Sequence, residues 1–258
     1  MPDPLKNIQI VLVRPTRPGN IGAAARAMKN MGLSRLVLVQ PVDHLCPDAY
    51  TMAYGAHDIL EGARVFKTLP RALGRCRFVV GTTARTHKGY GKPAPLARIT
   101  PRILEKAERY RVAILFGPES SGLSNDEIAL CQSLAAIPTG GTHTSLNLAQ
   151  AVMVAAYELT RTAASGLKSG SPPQRPVADT DQRERFFNEL RELLTLIGFI
   201  KGRQGEHILA DLRRIFGRAE PDGRELRILR GIIRQVRWAL VHGRDVCFPN
   251  ANKIKYKR

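Results

Sequence analysis

Cysteine is scarce in this chain and acid is heavily outnumbered. The four cysteines, Cys46, Cys76, Cys131 and Cys247, are scattered and form no C-x-x-C pair, so the sequence offers neither a disulfide framework nor a zinc site. No metal is expected. No apolar run approaches the roughly 20 residues that span a bilayer. The opening Met1-Pro2-Asp3-Pro4-Leu5-Lys6 lacks the pattern of a secretory leader. A cytoplasmic protein with reduced thiols is the default expectation. Only 22 acidic residues stand against 40 basic ones, a formal net charge of +18, beyond the magnitude of about 2–8 that solubility asks of a small domain. Such an excess calls for a polyanionic partner. Divided at Ser165, each part holds 20 basic and 11 acidic residues, 20 − 11 = +9. The second part is shorter, so its charge is denser.

What is present is a globular pattern, 43% hydrophobic, that changes character once. Up to about residue 163, short β-branched runs alternate with helical patterns, which predicts a parallel α/β sheet. Strands are expected over Ile8–Val13, Leu36–Val39, Phe78–Gly81, Val112–Phe116 and Leu134–Ile137. In such sheets the loops at the carboxyl ends of the strands carry the ligand. Helix starts are expected at Asn20 as a cap, at Thr100-Pro101, at the capping box Ser124-Asn125-Asp126-Glu127, and at Ser145 for a long apolar helix to Thr162. Residues 164–179 are rich in Gly, Ser and Pro and are read as a flexible linker. Residues 180–258 read as a small, basic, all-helical domain, with helices over Thr180–Ile197, Gly205–Phe216 and Asp222–His242. In the last of these, Arg224, Arg227, Arg230, Arg234 and Arg237 recur every three or four residues. At about 100° per residue they share one side, opposite Leu229, Ile232, Ile233, Val236 and Leu240. The expectation is an apolar face that packs and a guanidinium face that meets phosphates.

Three segments carry the chemistry. Pro18-Gly19-Asn20-Ile21-Gly22 follows the first strand and turns into a helix bearing Arg26. Such a turn can cradle a phosphate at a helix N-terminus, although it is not G-x-G-x-x-G and no acid ends the next strand, so a dinucleotide fold is disfavoured. Gly117-Pro118-Glu119-Ser120-Ser121-Gly122-Leu123 leaves a buried strand through a glycine-rich turn that lets a ligand approach the main chain. Thr144-Ser145-Leu146-Asn147 then opens the long apolar helix. Each segment also has a plain reading: Arg26 as an exposed helix arginine, Glu119 as a loop acid, Ser145 and Asn147 as helix caps. Between them, Thr86-His87-Lys88-Gly89-Tyr90-Gly91-Lys92-Pro93 offers basic groups and one aromatic on a loop that could hold a splayed nucleotide.

In this order and spacing, the three segments resemble the motifs of SPOUT-class RNA 2′-O-ribose methyltransferases of the TrmH (SpoU) family, over roughly residues 7 to 162. The helical domain placed after them is most similar to the TrmJ branch, which methylates the ribose of nucleotide 32 in the tRNA anticodon loop. The resemblance implies a SPOUT α/β knot, a parallel sheet with a C-terminal trefoil knot followed by a small all-helical domain. Knots are rare exceptions to chain-threading rules. It also implies an S-adenosylmethionine pocket from Thr82, Thr83, Ala84, Gly117, Ile137, Thr144, Ser145 and Leu146, and catalytic positions at Asn20, Arg26, Glu119, Ser145 and Asn147. A homodimer would complete the site. On this reading Arg26 clamps the ribose-phosphate, with Glu119 and Asn20 orienting it, and Arg85, Lys88, Lys92 and the Arg224 to Arg237 row bind tRNA. The alternatives left open are another RNA target, ribosomal RNA or a different tRNA position, and a non-catalytic RNA-binding relative.

Overall fold

The computed structural model describes residues 3–87, 92–140, 145–166 and 176–242. The elements run β1 (Ile8–Val13), α1 (Pro18–Asn30), β2 (Arg35–Val39), α2 (Pro47–Met52), α3 (His57–Glu61), β3 (Arg64–Phe66), α4 (Leu69–Leu73), β4 (Phe78–Thr82), β5 (Ala94–Pro95) and α5 (Leu96–Ala107). They continue through β6 (Val112–Phe116), α6 (Asn125–Ile128), β7 (Ser133–Ala136) and α7 (Leu148–Ala164) to the helices α8 (Thr180–Leu196), α9 (Gly202–Ala219) and α10 (Gly223–His242).

The described strands form one parallel sheet in the order β3-β2-β1-β6-β4-β7-β5. Both faces are covered, which is why β1 and β6 are apolar at nearly every position instead of alternating. Ile10, Leu12, Ile114 and Phe116 point to one core, beneath α1, α5 and α7. Val11, Val13, Ala113 and Leu115 point to the other, beneath α4 and the turn around Leu123. Full burial of such side chains stabilises the sheet by about 1.5–3 kcal/mol each. In register, Leu12 lies beside Phe116, Gly81 beside Leu115 and Thr82 beside Ala135. The carboxyl ends of β1, β6, β4 and β7 therefore open on one edge, and the three motif segments leave from it.

Local chemistry shifts several expected boundaries. α1 begins at Pro18 with Arg17 at the cap position, so Asn20 is inside the helix and its side chain is released for other work. Gly22 serves packing: a Cβ there would lie 2.0 Å from the Ala49 carbonyl oxygen of α2. Thr100-Pro101 does not start a helix. Both sit within α5, where Thr100 Oγ1 donates to the Leu96 carbonyl at 2.9 Å and burial of Leu96, Ile99 and Ile103 outweighs the N–H that Pro101 lacks. The cap of α7 is Asn147, not Ser145, because Asn147 Oδ1 accepts from the Ala149 and Gln150 amides. The expected capping box at Ser124 is present, with Glu127 returning to the Ser124 amide. Strands β3 and β5 and helices α2, α3 and α4 were not anticipated; each is six residues or fewer, too short to show a period.

Most of the expected linker, 167–175, lies outside the described residues, and so do 141–144, through which the trefoil threading between β7 and α7 would run. Val177 and Ala178 are packed: both are buried, and Val177 bridges to Asp222. α8 and α10 enclose a core of Phe186, Phe187, Leu193, Leu226 and Ile233, with Phe216 of α9 edge-on to both phenylalanines.

These helices are pinned to the sheet. The buried Arg183 guanidinium donates to the carbonyls of Arg77 (3.1 Å) and Ala178 (3.2 Å), to Gln132 Oε1 (3.3 Å) and to Thr180 Oγ1 (2.9 Å). Burial lowers its pKa to about 10, which still leaves it charged at neutral pH. At the far end Glu220, in the left-handed region at the end of α9, takes Arg102 (2.8 Å) and Lys106 (2.7 Å) of α5.

The faces of α10 differ from those expected. Arg230 and Arg237 turn toward α8, where Glu189 and Glu192 take them at 2.9 and 2.8 Å; the acids missing from the arginine row are supplied by a neighbouring helix. Leu226 and Ile233 pack, whereas Ile232 and Leu240 are 55% and 53% exposed. Arg224, Arg227 and Arg234 carry no ion pair among the described residues.

Candidate active site

The chain leaving β4 is stitched on both sides. Thr82 Oγ1 donates to the Leu115 carbonyl at 2.7 Å, and the Thr83 amide donates to the Ala135 carbonyl at 2.9 Å. Thr83 Oγ1 then accepts the Arg85 amide at 3.1 Å and meets His87 Nε2 at 3.0 Å. The turn after β6 folds back on itself: the Gly122 amide reaches the Pro118 carbonyl at 2.8 Å, and Gly122 has φ +67°. Gly117 faces that return so closely that a Cβ would lie 2.3 Å from the Gly122 carbonyl carbon. Only glycine fits there.

Between these turns lies a cavity of about 210 Å³. Thr82, Thr83, Ala84 and Arg85 line it from β4, Gly117 and Glu119 from β6, Ile137 from β7, and Ser145 and Leu146 from the approach to α7. Sequence reasoning did not assign the apolar wall of Phe116, Leu123, Leu148 and Ala151 to the pocket, and it placed His87 only on a neighbouring nucleotide-holding loop. The wall residues read as ordinary core, so nothing in the pattern separated them from it. Thr144 and Lys88 lie outside the described residues. Lys92 lines a different cavity.

A polar relay joins the three motifs beside the cavity. Asn20 Nδ2 donates to Glu119 Oε1 at 2.5 Å, Thr16 Oγ1 donates to Glu119 Oε2 at 3.0 Å, and Asn147 Nδ2 donates to Asn20 Oδ1 at 3.0 Å. Burial alone would raise the Glu119 pKa, but the hydrogen bonds from Asn20, Thr16 and the main chain hold it below the ordinary value. Glu119 is thus a fixed carboxylate and a weak base. Thr16 had no signal in the sequence.

Arg26 is not part of this relay. Six residues at about 100° each carry it roughly 240° around α1 from Asn20. It is exposed, with its guanidinium 5.8 Å from the Tyr54 ring centre. Glu119 and Asn20, expected to orient Arg26, make no contact with it within one chain. The expected phosphate cradle at the start of α1 also has another occupant, since the Gly19 amide donates to Asp48 Oδ2 at 2.9 Å. Among the described residues no cluster of three His, Cys, Asp or Glu converges as a metal site, and no helix is long and apolar enough to cross a membrane.

The architecture and loop placement match a known family. The model of the SpoU rRNA Methylase family matches residues 7–157, more than half of the chain. The chain belongs to the SpoU methylase family. The SpoU match stops short of the helical end, where residues 181–245 match the model of the tRNA methyltransferase TrmJ C-terminal domain. The chain is 40% identical over 239 residues to tRNA (cytidine/uridine-2′-O-)-methyltransferase TrmJ of Pectobacterium atrosepticum, covering 90% of this chain and 97% of that protein. Among solved structures, TrmJ from Z. mobilis ZM4 superposes with a TM-score of 0.77 at 34% identity, covering 89% of this chain and 98% of the other. The SpoU methyltransferase AviRb from Streptomyces viridochromogenes, in complex with AdoMet, superposes with a TM-score of 0.50 at 25% identity, covering 61% of each chain. The parallel sheet with flanking helices is the SPOUT-class α/β fold, followed by a helical C-terminal region.

Proposed function

We propose that this chain transfers a methyl group from S-adenosylmethionine to the 2′-hydroxyl of a tRNA ribose, at a cytidine or uridine occupying nucleotide 32 of the anticodon loop. The observation that carries the proposal is the convergence of three loops on one cavity, with the Glu119–Asn20–Asn147 relay along its side. Similarity to a tRNA 2′-O-methyltransferase over 90% of the chain, helical region included, supports the substrate.

The residues present suit the cofactor. Leu123, Ile137, Leu146 and Leu148 offer an apolar slot for a flat ring. The turns at Thr82 to Ala84 and Gly117 to Glu119 bring main-chain polar groups to its rim, and the Glu119 carboxylate complements a cationic centre. When bound, S-adenosylmethionine supplies the electrophilic methyl group. The chain's own contribution is position, which can account for roughly 7–11 kcal/mol of such a barrier. The relay locks the β6 turn, the first turn of α1 and the cap of α7 into one rigid wall. Ser145 stands at that wall next to Asn147.

The site is completed by a second copy. Arg26 projects away from its own cavity, and exposed apolar side chains on either side of α1, Met52 at the end of α2 with Tyr54 just after it, and Val154 and Tyr157 from α7, form a surface suited to a homodimer. Across that interface Arg26 clamps the ribose-phosphate of the substrate in the partner's cavity and stabilises developing oxyanion charge. Residues 1–163 then form the methyltransferase domain, and 180–258 the basic domain that adds tRNA contacts through Arg224, Arg227 and Arg234. Arg85 serves RNA at the cavity rim. The protein works in the cytoplasm.

Calorimetric titration with S-adenosylmethionine, followed by transfer of its labelled methyl group to unmodified tRNA, tests the proposal. Saturable binding with transfer to tRNA supports it. Binding without transfer to any tRNA would refute it.

A further inference from the structure

A second cavity, about 410 Å³, lies where α9 meets α5 and the β7–β5 edge of the sheet. Five cations line it: Lys92 just before β5, Arg98 and Arg102 on α5, and Arg214 and Arg218 on α9. No lining residue is acidic. Arg102 is held by Glu220 at 2.8 Å and Arg214 by Asp211 at 2.7 Å. Lys92, Arg98 and Arg218 make no ion pair among the described residues. Like charges converging on one concavity repel each other, so an empty site of this kind is unfavourable and an anion relieves it. The first turn of α5, beside Arg98, adds partial positive charge of the same sign.

The seam offers binding without chemistry. Cys131 lies in its wall, but burial pushes that thiol far above its ordinary pKa, so no thiolate nucleophile is present. Position supplies the rest. Ser133, at the start of β7, lines the seam, and Ile137, just past its end, lines the catalytic cavity. Four residues of strand span about 13 Å. That distance is about four steps of a stacked nucleic-acid strand at ~3.4 Å each. On the other flank, Thr83, Ala84, Arg85 and His87 line the first cavity and Lys92 to Ala94 line the second.

We propose that this seam between α5, β7 and α9 is a phosphate-backbone clamp that holds the RNA strand some four nucleotides from the reacting ribose. It rests on the methyltransferase reading for its substrate. It also gives the docked helical region a specific purpose: α9 brings Arg218 against α5, so the clamp exists only while Arg183 and Glu220 keep that region seated.

The test compares the full-length protein with the Lys92→Gln/Arg98→Gln/Arg218→Gln triple variant. Affinity for unmodified tRNA is measured across a salt series, with S-adenosylmethionine affinity and melting temperature recorded alongside. Three lost contacts should reduce the slope of log affinity against log salt by about 2–3, and weaken binding on the order of 100-fold near 0.1 M salt. Cofactor affinity should stay at the parent's value, and melting should not fall below it, because the charges removed repel one another. An Arg98→Lys/Arg218→Lys variant, which keeps the charges, should keep the parent slope. A triple variant with parental affinity and slope overturns the clamp, as does a Lys variant that loses as much slope as the Gln variant. Methyl transfer by the parent, followed in the same samples, separates the two readings: a parent that transfers to no RNA defeats the proposed function, whereas an active parent with an unaffected variant defeats the clamp alone.

Discussion

Asn147 Nδ2 donates to Asn20 Oδ1 across 3.0 Å, joining residues 127 apart in the chain. Through Asn20 the contact continues to Glu119, so one line of hydrogen bonds ties all three motifs. Asn147 caps α7 with its oxygen and steadies Asn20 with its nitrogen. Capping and site-building, which stand as alternatives in the sequence, are two ends of one carboxamide.

Asn147→Ala should therefore do two things. Loss of the cap costs about 1 kcal/mol, read as a lower melting temperature, and release of Asn20 weakens S-adenosylmethionine binding by titration. Asn147→Asp keeps the capping oxygen and should restore melting without restoring cofactor affinity. Full cofactor affinity in the Ala variant would remove Asn147 from the site.

The depressed Glu119 pKa fixes the sign of an acid effect. Its contribution to stability is fully present above the ordinary carboxyl value of 4.5 and is lost as pH falls through the lower folded value. Asn20→Ala removes a hydrogen bond that holds the carboxylate down, so the stability gap between parent and variant should narrow as denaturation is followed from pH 6 into acid. A gap that widens would mean that Glu119 is not held in this way.

Gly117→Ala should abolish cofactor binding, because the added methyl would sit 2.3 Å from the main chain of Gly122. Backbone atoms cannot step aside cheaply, so a loss of about 1–3 kcal/mol in stability should accompany it. Gly122→Ala is the milder control: nothing lies within 4 Å of its missing Cβ and only φ +67° is unfavourable, at roughly 1–2 kcal/mol. Parental cofactor affinity in Gly117→Ala would contradict the close approach.

Arg183→Ala should unseat the helical region, since it removes the side-chain donor to the carbonyls of Arg77 and Ala178 and leaves Gln132 Oε1 only the Val79 amide. A stability loss of about 2–4 kcal/mol is expected by denaturant unfolding. Arg183→Lys should recover little, because one ammonium cannot reproduce the fork. Unchanged proteolysis of residues 176–242 in the Ala variant would show that the pin is not needed.

Long, strongly patterned elements were legible in the sequence. β1 and β6 were read to the residue because buried parallel strands are continuous apolar runs. α8 was read to within one residue from its helical pattern, and the structure adds an Asp179–Gln182 capping box at its start. The motif segments were legible as segments and their roles only through the family resemblance; seven of the eight residues it implies for the cofactor line one cavity. What escaped depends on contacts between distant segments. Thr16 matters only because Glu119, 103 residues on, comes to it. Arg230 and Arg237 look like a free row until Glu189 and Glu192 of α8 are in place. That Arg26 and Asn20, six residues apart, do not share a helix face follows from the spacing alone; the Tyr54 ring beside Arg26 does not.

The most direct measurement is nuclease digestion and mass spectrometry of unmodified tRNA after incubation with the protein and labelled S-adenosylmethionine, beside a parallel tRNA carrying a 2′-deoxy residue at nucleotide 32. The expected result is a single 2′-O-methylated cytidine or uridine at that nucleotide, absent from the deoxy substrate and absent with Arg26→Ala, whose cofactor affinity stays near the parent's. Label on a base instead of a ribose, or equal labelling of the deoxy substrate, would contradict the proposed reaction and target.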